Sequence, residues 1–142
     1  MRDFVLDEYI YSPLAAKYGF IEQNISLESD IIKNLENIHT QIINPLRELD
    51  GELTIIEAYT CFRLWELTNI NTSDKTSCSG KSIRLNYTIE GIRSNNILLS
   101  TIETLKVPYT KLIKCYGTKE NPLWVQIVLD NTDLSKRKLI VQ

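Results

Sequence analysis

Histidine is almost missing from this chain of 142 residues, in which His39 is the only one. A catalytic zinc site uses about three protein ligands, commonly histidines, and keeps an open position for water. Cysteine is also scarce. Cys61, Cys78 and Cys115 are odd in number and have no CxxC spacing. We therefore expect no metal, no cofactor and no disulfide framework.

Strong positive charge and long apolar segments are absent as well. The net charge is −2, and the basic residues are scattered except at residues 136–138, where we expect a solvated strand edge. No segment approaches the roughly 18 apolar residues of a membrane helix. Asp3, Asp7 and Glu8 interrupt the apolar stretch that a signal peptide requires. We expect no nucleic-acid or membrane partner, and synthesis in a cytoplasm without a signal peptide.

The composition that remains is that of a globular protein. Apolar residues make up 43% and charged residues 24% of the chain, and its length suits one domain over residues 1–142. Helical patterns occupy residues 8–50 and strand patterns occupy residues 53–142. This order predicts an α+β fold, in which a small, mostly antiparallel sheet packs against helices.

Two helices are predicted in the N-terminal part. Residues 8–19 form a short helix in which Ser12 suits the N-cap and Gly19 the C-terminal stop. Residues 27–49 form a longer helix, for which Ser26 suits the N-cap and which Pro45 should kink or end. Its apolar positions recur at steps of three and four: Ile31, Ile32, Leu35, Ile38, Ile42, Ile43, Leu46 and Leu49.

In residues 53–142 we predict strands with one helix among them. β-Branched and aromatic residues indicate strands at residues 53–59, 83–90, 110–116 and 123–129, with an edge strand at 139–141. The turn between the third and fourth strands predicts a hairpin. The intervening helix, residues 94–106, should face the core with Ile97, Leu98, Ile102 and Leu105. A long polar loop at residues 68–82 is typical of a functional segment.

Several short motifs in this order resemble one known family. They are Glu8-Tyr9, Ala15-Ala16, Asn24, Ile43-Asn44-Pro45-Leu46-Arg47, Leu53-Thr54-Ile55-Ile56, Gly80, Tyr116-Gly117 and Trp124-Val125. Together they are similar to the small, phage-type single-domain zinc D-Ala-D-Ala carboxypeptidases and cell-wall endopeptidases. The resemblance covers nearly the whole chain and implies the Hedgehog/DD-peptidase fold.

The functional positions of that family are replaced in this chain. The arginine of its "SGYR" strand end corresponds to Thr60, and the histidine and aspartate of its "SxHxxGxAxD" loop correspond to Ser77 and Arg84. The catalytic acid corresponds to Cys115, and the last histidine to Gln126. Serine and glutamine are poor substitutes for imidazole as zinc ligands, and an arginine cation would repel the metal. We expect no catalytic residue and no metal ligand at these positions.

Other chemistry finds little support in the sequence. Ser79-Gly80-Lys81-Ser82 resembles the end of a phosphate-binding loop, but the required earlier glycine is Lys75 and a strand follows. His39 should be a partly buried or surface histidine of its helix. If the resemblance holds, Cys115 lies in the former pocket with the other two cysteines beside it, so altered, cysteine-based chemistry stays open as an alternative.

The sequence therefore favours an inactive, peptidase-like scaffold over an enzyme. We expect a structural or protein-interaction component, with other protein chains or further copies of itself as partners. Abundant Ile and Asn suggest an AT-rich genome, and a phage virion (tail, neck or baseplate) made in a bacterial host is the expected setting. A pseudo-enzyme that still binds peptidoglycan peptides is the other alternative.

Overall fold

A computed structural model describes residues 2–25, 27–68, 75–130 and 138–141. The predicted α+β class is confirmed. The helices are α1 (Asp7–Ile10), α2 (Pro13–Tyr18), α3 (Ile21–Ile25), α4 (Ser29–Ile38), α5 (Asn44–Leu46), α6 (Phe62–Thr68) and α7 (Asn95–Thr104), with a π-helical turn at His39–Ile43 and a 3-10 turn at Thr76–Ser79. No helix among these residues is long and apolar enough to cross a membrane.

The sheet is mostly antiparallel, as predicted. Its strands are β1 (Glu52–Glu57), β2 (Ser82–Ile89), β3 (Ile92–Arg93), β4 (Lys111–Cys115), β5 (Trp124–Val128) and β6 (Lys138–Val141). The order is β1-β2-β5-β4-β6, and β3 pairs with β2. β4 and β5 form the predicted hairpin, and β6 joins the edge parallel to β4. Residues 136–137, in the predicted basic strand edge, lie outside the described part of the chain.

The N-terminal segment is two helices rather than the single helix predicted for residues 8–19. Tyr11 has extended dihedral angles and separates α1 from α2. Ser12 then caps α2 as predicted, because its side chain accepts a hydrogen bond from the backbone N–H of Ala15. Gly19 ends α2 in the left-handed conformation, with φ of 78°. Because a cap residue starts a new helix, the turn at Asp7–Ile10 and α2 are separate elements.

The long helix predicted for residues 27–49 is shorter and changes its winding. It begins at Ser29, and a π-helical turn follows at His39–Ile43. Pro45 has no N–H to donate to the carbonyl of Gln41. Directly before it, the N–H of Asn44 bonds to the carbonyl of His39, five residues back. The proline therefore changes the hydrogen-bond register of the helix without ending the helix. The predicted cap, Ser26, lies outside the described residues.

One large core joins the helices to one face of the sheet. The helical stripe is buried at Leu35, Ile38, Ile42, Ile43 and Leu46, and it belongs to the same cluster as Ile83, Leu85, Tyr87, Val125 and Ile127 of the strands. The opposite face carries a small cluster of Ile113, Cys115 and Val128, with Trp124 packed against it. The alternation of β2 and β5 thus separates a helix-covered face from a second, more polar face.

His39 is buried at the N-terminal end of this core. Its Nδ1 lies 2.6 Å from the hydroxyl of Tyr9, and its Nε2 lies 2.8 Å from the carbonyl oxygen of Arg2. A carbonyl only accepts, so Nε2 carries the proton and Nδ1 accepts from Tyr9. Burial raises the pKa of Tyr9 well above its usual range, which keeps that hydroxyl a donor. His39 is therefore a satisfied core residue.

A buried amide bonds helix α7 to β2 and to the segment before β5. The Oδ1 of Asn95 accepts from the N–H of Tyr87 at 2.8 Å, and its Nδ2 donates to the carbonyl oxygens of Pro122 and Leu123. Leu98 and Ile102 are buried as predicted. The inward orientation predicted for Ile97 and Leu105 is wrong, because both are exposed: a ten-residue helix on one sheet face buries only one narrow stripe.

Candidate functional site

Three of the five positions that the family resemblance predicts to be replaced line one small polar cavity. Thr60, Ser77 and Arg84 surround it together with Leu14, Glu57, Ala58, Thr68 and Ser82. We call this space the polar cavity. The backbone N–H of Thr60 donates to the carbonyl of Ser77 at 3.1 Å, which holds the end of β1 against the 3-10 turn. Three positions predicted from the order of the sequence motifs therefore lie close together in the fold.

The 3-10 turn is fixed against α4 by a close backbone approach. Gly80 has φ of 72°, and a Cβ there would lie 2.8 Å from the carbonyl oxygen of Ile31. The Nδ2 of Asn34 donates to the carbonyl of Ser79 at 2.8 Å. Strand β2 begins at Ser82, so the segment lacks the following helix of a phosphate-binding loop. Gly80 is required here by packing and backbone geometry.

Glu57 also lines the polar cavity, and it was not predicted to lie there. Ile55 pairs with Leu85 and Glu57 with Arg84, so Ile56 is an extra residue in a β-bulge. Without the bulge, Glu57 would pair with Ile83 on the face that forms the core. The irregularity therefore moves a carboxylate out of the core and beside a guanidinium.

The surroundings of Glu57 are both buried and polar. The residue is 6% exposed, the hydroxyl of Thr60 donates to its Oε1 at 3.5 Å, and the Ser12 hydroxyl also bonds to it. Burial raises the pKa of Glu57, against the opposing effect of these bonds and of the Arg84 charge. The carboxyl group thus favours its neutral form more than a solvated glutamate does.

Gln126 and Cys115 lie on the same sheet face without lining the polar cavity. Gln126 pairs with Arg84 across the strands, and its Nε2 donates to the hydroxyl of Ser82 at 2.7 Å. The Sγ of Cys115 lies 3.8 Å from the carbonyl oxygen of Ile113, and burial raises the pKa of this thiol. A raised pKa disfavours the thiolate that nucleophilic or metal-binding chemistry needs.

The polar cavity is suited to water and to internal hydrogen bonds. Its volume is about 70 Å³, whereas pockets for drug-sized ligands hold about 300–1,000 Å³. A water molecule needs about 10–15 Å³ of such space, so a few waters fit. Within residues 2–25, 27–68 and 75–130, no three His, Cys, Asp or Glu side chains are grouped to hold a metal ion.

A much larger and mainly apolar depression lies between the first three helices. Its volume is about 380 Å³, and it is lined by Asp7, Ile10, Tyr11, Ser12, Ala15, Ala16, Ile21, Asn24 and Ile25. We call it the helical groove. Tyr11 is 71% exposed, Ile21 55% and Ile25 52%. Ile21 and Ile25 are four residues apart and share one face of α3. This surface was not predicted from the sequence.

The walls of the helical groove are held by the amide of Asn24. Its Nδ2 donates to the carbonyl oxygens of Ile10 and Tyr59 at 2.9 and 3.3 Å. Its Oδ1 accepts from the N–H of Cys61 at 2.8 Å. One side chain therefore connects α3 to the end of α1 and to the segment after β1. A short helix such as α3 would be unstable alone, and these bonds give it a defined position.

Ser12 connects the groove to the polar cavity. It lines the groove, caps α2 through the N–H of Ala15, and bonds to Glu57. One hydroxyl group therefore links the groove to a carboxyl group that lines the polar cavity.

Comparisons with known proteins give no relative for this chain. No family model, no curated protein and no solved structure matches it. The α+β class follows from the structure itself, and the resemblance to the zinc peptidases stays a prediction.

Proposed function

We propose that this chain is a non-catalytic protein-interaction component, built on a peptidase-like scaffold, that docks another protein chain in the helical groove. The observation that carries the proposal is the exposure of Tyr11, Ile21 and Ile25 around a depression of about 380 Å³. Apolar surface gathered in a concave site is stabilised when a partner removes it from water. Tyrosine is also among the residues enriched at the centres of interfaces.

The polar cavity is the weaker candidate for function. Its volume of about 70 Å³ is far below that of a peptide or sugar site. Arg84, the cation at a former metal-ligand position, lies beside the Glu57 carboxyl. Gln126 is bonded to Ser82. These contacts support a structural role for the replaced positions and disfavour binding of peptidoglycan peptides there.

We further propose that the partner chains belong to a phage virion, at the tail, neck or baseplate. Support comes from the motifs shared with a family common in phages and from the Ile- and Asn-rich composition. Fold-level resemblance alone does not define a function, so the test must identify the partner directly.

Site-specific photocrosslinking in the cells that make the protein provides this test. A benzophenone amino acid replaces Tyr11 in the groove. In a matched control it replaces Ile92, which is 69% exposed and does not line the groove. The proposal expects one discrete crosslinked protein from position 11 and none from position 92, with the crosslinked peptide identified by mass spectrometry. Equal labelling at both positions, or hydrolysis of muropeptides by the pure protein, would overturn it.

A further inference from the structure

Resting on the proposed function, we infer that the helical groove receives a basic amphipathic helix from another protein. This segment carries apolar residues on one face and Lys or Arg residues beside them. The groove supplies the complement of both features: an apolar floor and an acidic rim.

The apolar floor matches the spacing of a helix face. Ile21 and Ile25 present neighbouring side chains on α3, and Ala15 and Ala16 on α2 leave space opposite them. Helix-in-groove recognition uses apolar anchors at i, i+3 or i+4, and i+7. A groove of about 380 Å³ is at the lower end of the usual range for binding pockets, which suits a few side chains rather than a whole domain.

The rim of the groove is acidic. Residues 2–30 contain six acidic side chains (Asp3, Asp7, Glu8, Glu22, Glu28 and Asp30) and two basic ones (Arg2 and Lys17), a net charge of −4 against −2 for the whole chain. Asp7 lines the groove itself, and Glu22 and Lys17 each follow a lining residue, Ile21 on α3 and Ala16 on α2. Glu8 pairs with Arg47, whereas Asp7 and Glu22 are exposed and form no ion pair with any described residue.

This uneven charge determines the sign of the charge that we expect on the partner segment. The remainder of the chain has a net charge of +2, since 14 of the 16 basic and 12 of the 18 acidic residues lie outside residues 2–30. Complementary charge around an apolar centre steers association and excludes partners of the wrong sign. A basic segment is attracted to this end of the molecule, and an acidic segment is repelled.

The test uses fluorescein-labelled designed peptides and the full chain. One peptide places Leu at i, i+3, i+4 and i+7 with Lys at the flanking positions. The second replaces every Lys by Glu, and the third replaces every Leu by Ser. Fluorescence anisotropy measures binding at ionic strengths of about 0.01 M and about 0.15 M, where the Debye length falls from about 30 to about 8 Å.

Four variants separate the groove from its charge. Ala16→Arg fills the groove, and Ile92→Arg is its control at an exposed site elsewhere. Asp7→Asn with Glu22→Gln neutralises the rim. The control for this pair is Glu90→Gln with Glu120→Gln, which makes the same charge change at exposed positions outside the groove.

The inference expects the Lys peptide to bind at least about tenfold more tightly than the Glu peptide at low salt. Ala16→Arg should abolish binding, and neutralising the rim should reduce the preference for Lys, while both controls behave as wild type. If both charged peptides bind equally and Ala16→Arg abolishes both, the charge inference is wrong and docking in the groove survives. If neither peptide binds better than the Ser peptide, the inference fails, and photocrosslinking at position 11 decides the proposed function separately. Concentration-dependent dimerisation lost in Ala16→Arg would assign the groove to a second copy of this chain and overturn the inference.

Discussion

Removing the amide of Asn24 should weaken the whole N-terminal half of the protein. The residue is 1% exposed, and its side chain makes three hydrogen bonds to backbone groups of Ile10, Tyr59 and Cys61. In Asn24→Ala those groups lose their partner, and each buried unsatisfied group costs about 1–3 kcal/mol. The carbonyl of Ile10 lies in a half-buried residue, where water can replace part of the loss. We expect a decrease of about 3–4 kcal/mol in the free energy of unfolding.

Urea denaturation followed by tryptophan fluorescence measures this decrease. With a slope of about 1–3 kcal/mol per molar urea, a loss of this size lowers the midpoint by roughly 1–4 M. Gln23→Ala is the matched control, because Gln23 is the exposed neighbour on the same short helix and should change stability by no more than about 0.5 kcal/mol. A midpoint for Asn24→Ala within error of that control would refute the role assigned to this amide.

Three further predictions concern buried polar groups. Asn95→Ala removes the bonds to Tyr87, Pro122 and Leu123 and should cost about 3–5 kcal/mol, whereas Asn96→Ala, at the exposed next position, should cost little. In Tyr9→Phe the buried Nδ1 of His39 loses its donor, so about 1–3 kcal/mol should be lost; no difference from Tyr11→Phe, a change at an exposed side chain, would show that the bond does not stabilise the fold. For Glu57, the folded-state pKa is raised by burial, so the folded protein binds this proton more tightly than the unfolded chain. The wild type therefore loses stability as the pH rises from about 4.3, the value of a free glutamate, through the folded-state pKa. The unfolding free energy of Glu57→Gln should rise relative to wild type over that interval, and a pH-independent difference would contradict the raised pKa.

The helices, strands and turns that were predicted correctly are those whose conformation depends on residues close together in the sequence. Ser12 and Gly19 bound α2 because a cap and a left-handed stop act over only a few residues. The alternation in β2 separates buried Ile83, Leu85 and Tyr87 from the partly exposed Arg84 because strand side chains alternate between faces. The turn between β4 and β5 likewise follows from nearby residues.

The features that were missed depend on tertiary pairing. The β-bulge at Ile56 exists only relative to β2, so the placement of Glu57 beside Arg84 has no local signature. The π-helical turn at His39–Ile43 depends both on Pro45, which follows it, and on the core contacts that keep the helix packed. The helical groove is formed by helices of four to six residues, which are too short to display an apolar period of their own.

The five positions singled out by the predicted family resemblance are an intermediate case. Motif order located Thr60, Ser77 and Arg84, which line one cavity. It also located Gln126 and Cys115, which lie on the same sheet face outside that cavity. Positions relative to the ends of strands can be predicted from sequence. The orientation of each side chain depends on strand register and packing.

Crosslinking from Tyr11 in the presence and absence of Ala16→Arg tests the central claim most directly. Tyr11 lines the helical groove and also a neighbouring depression formed with Arg47 and Leu53, so position 11 alone reports on both. Ala16→Arg fills only the groove and leaves the polar cavity unaltered, so loss of the adduct in that variant places the partner in the groove. We predict one discrete protein adduct in the otherwise wild-type chain and its loss in the Ala16→Arg background, with the variant still folded by circular dichroism. An adduct that persists in the folded variant, or no adduct in either chain, would contradict the account.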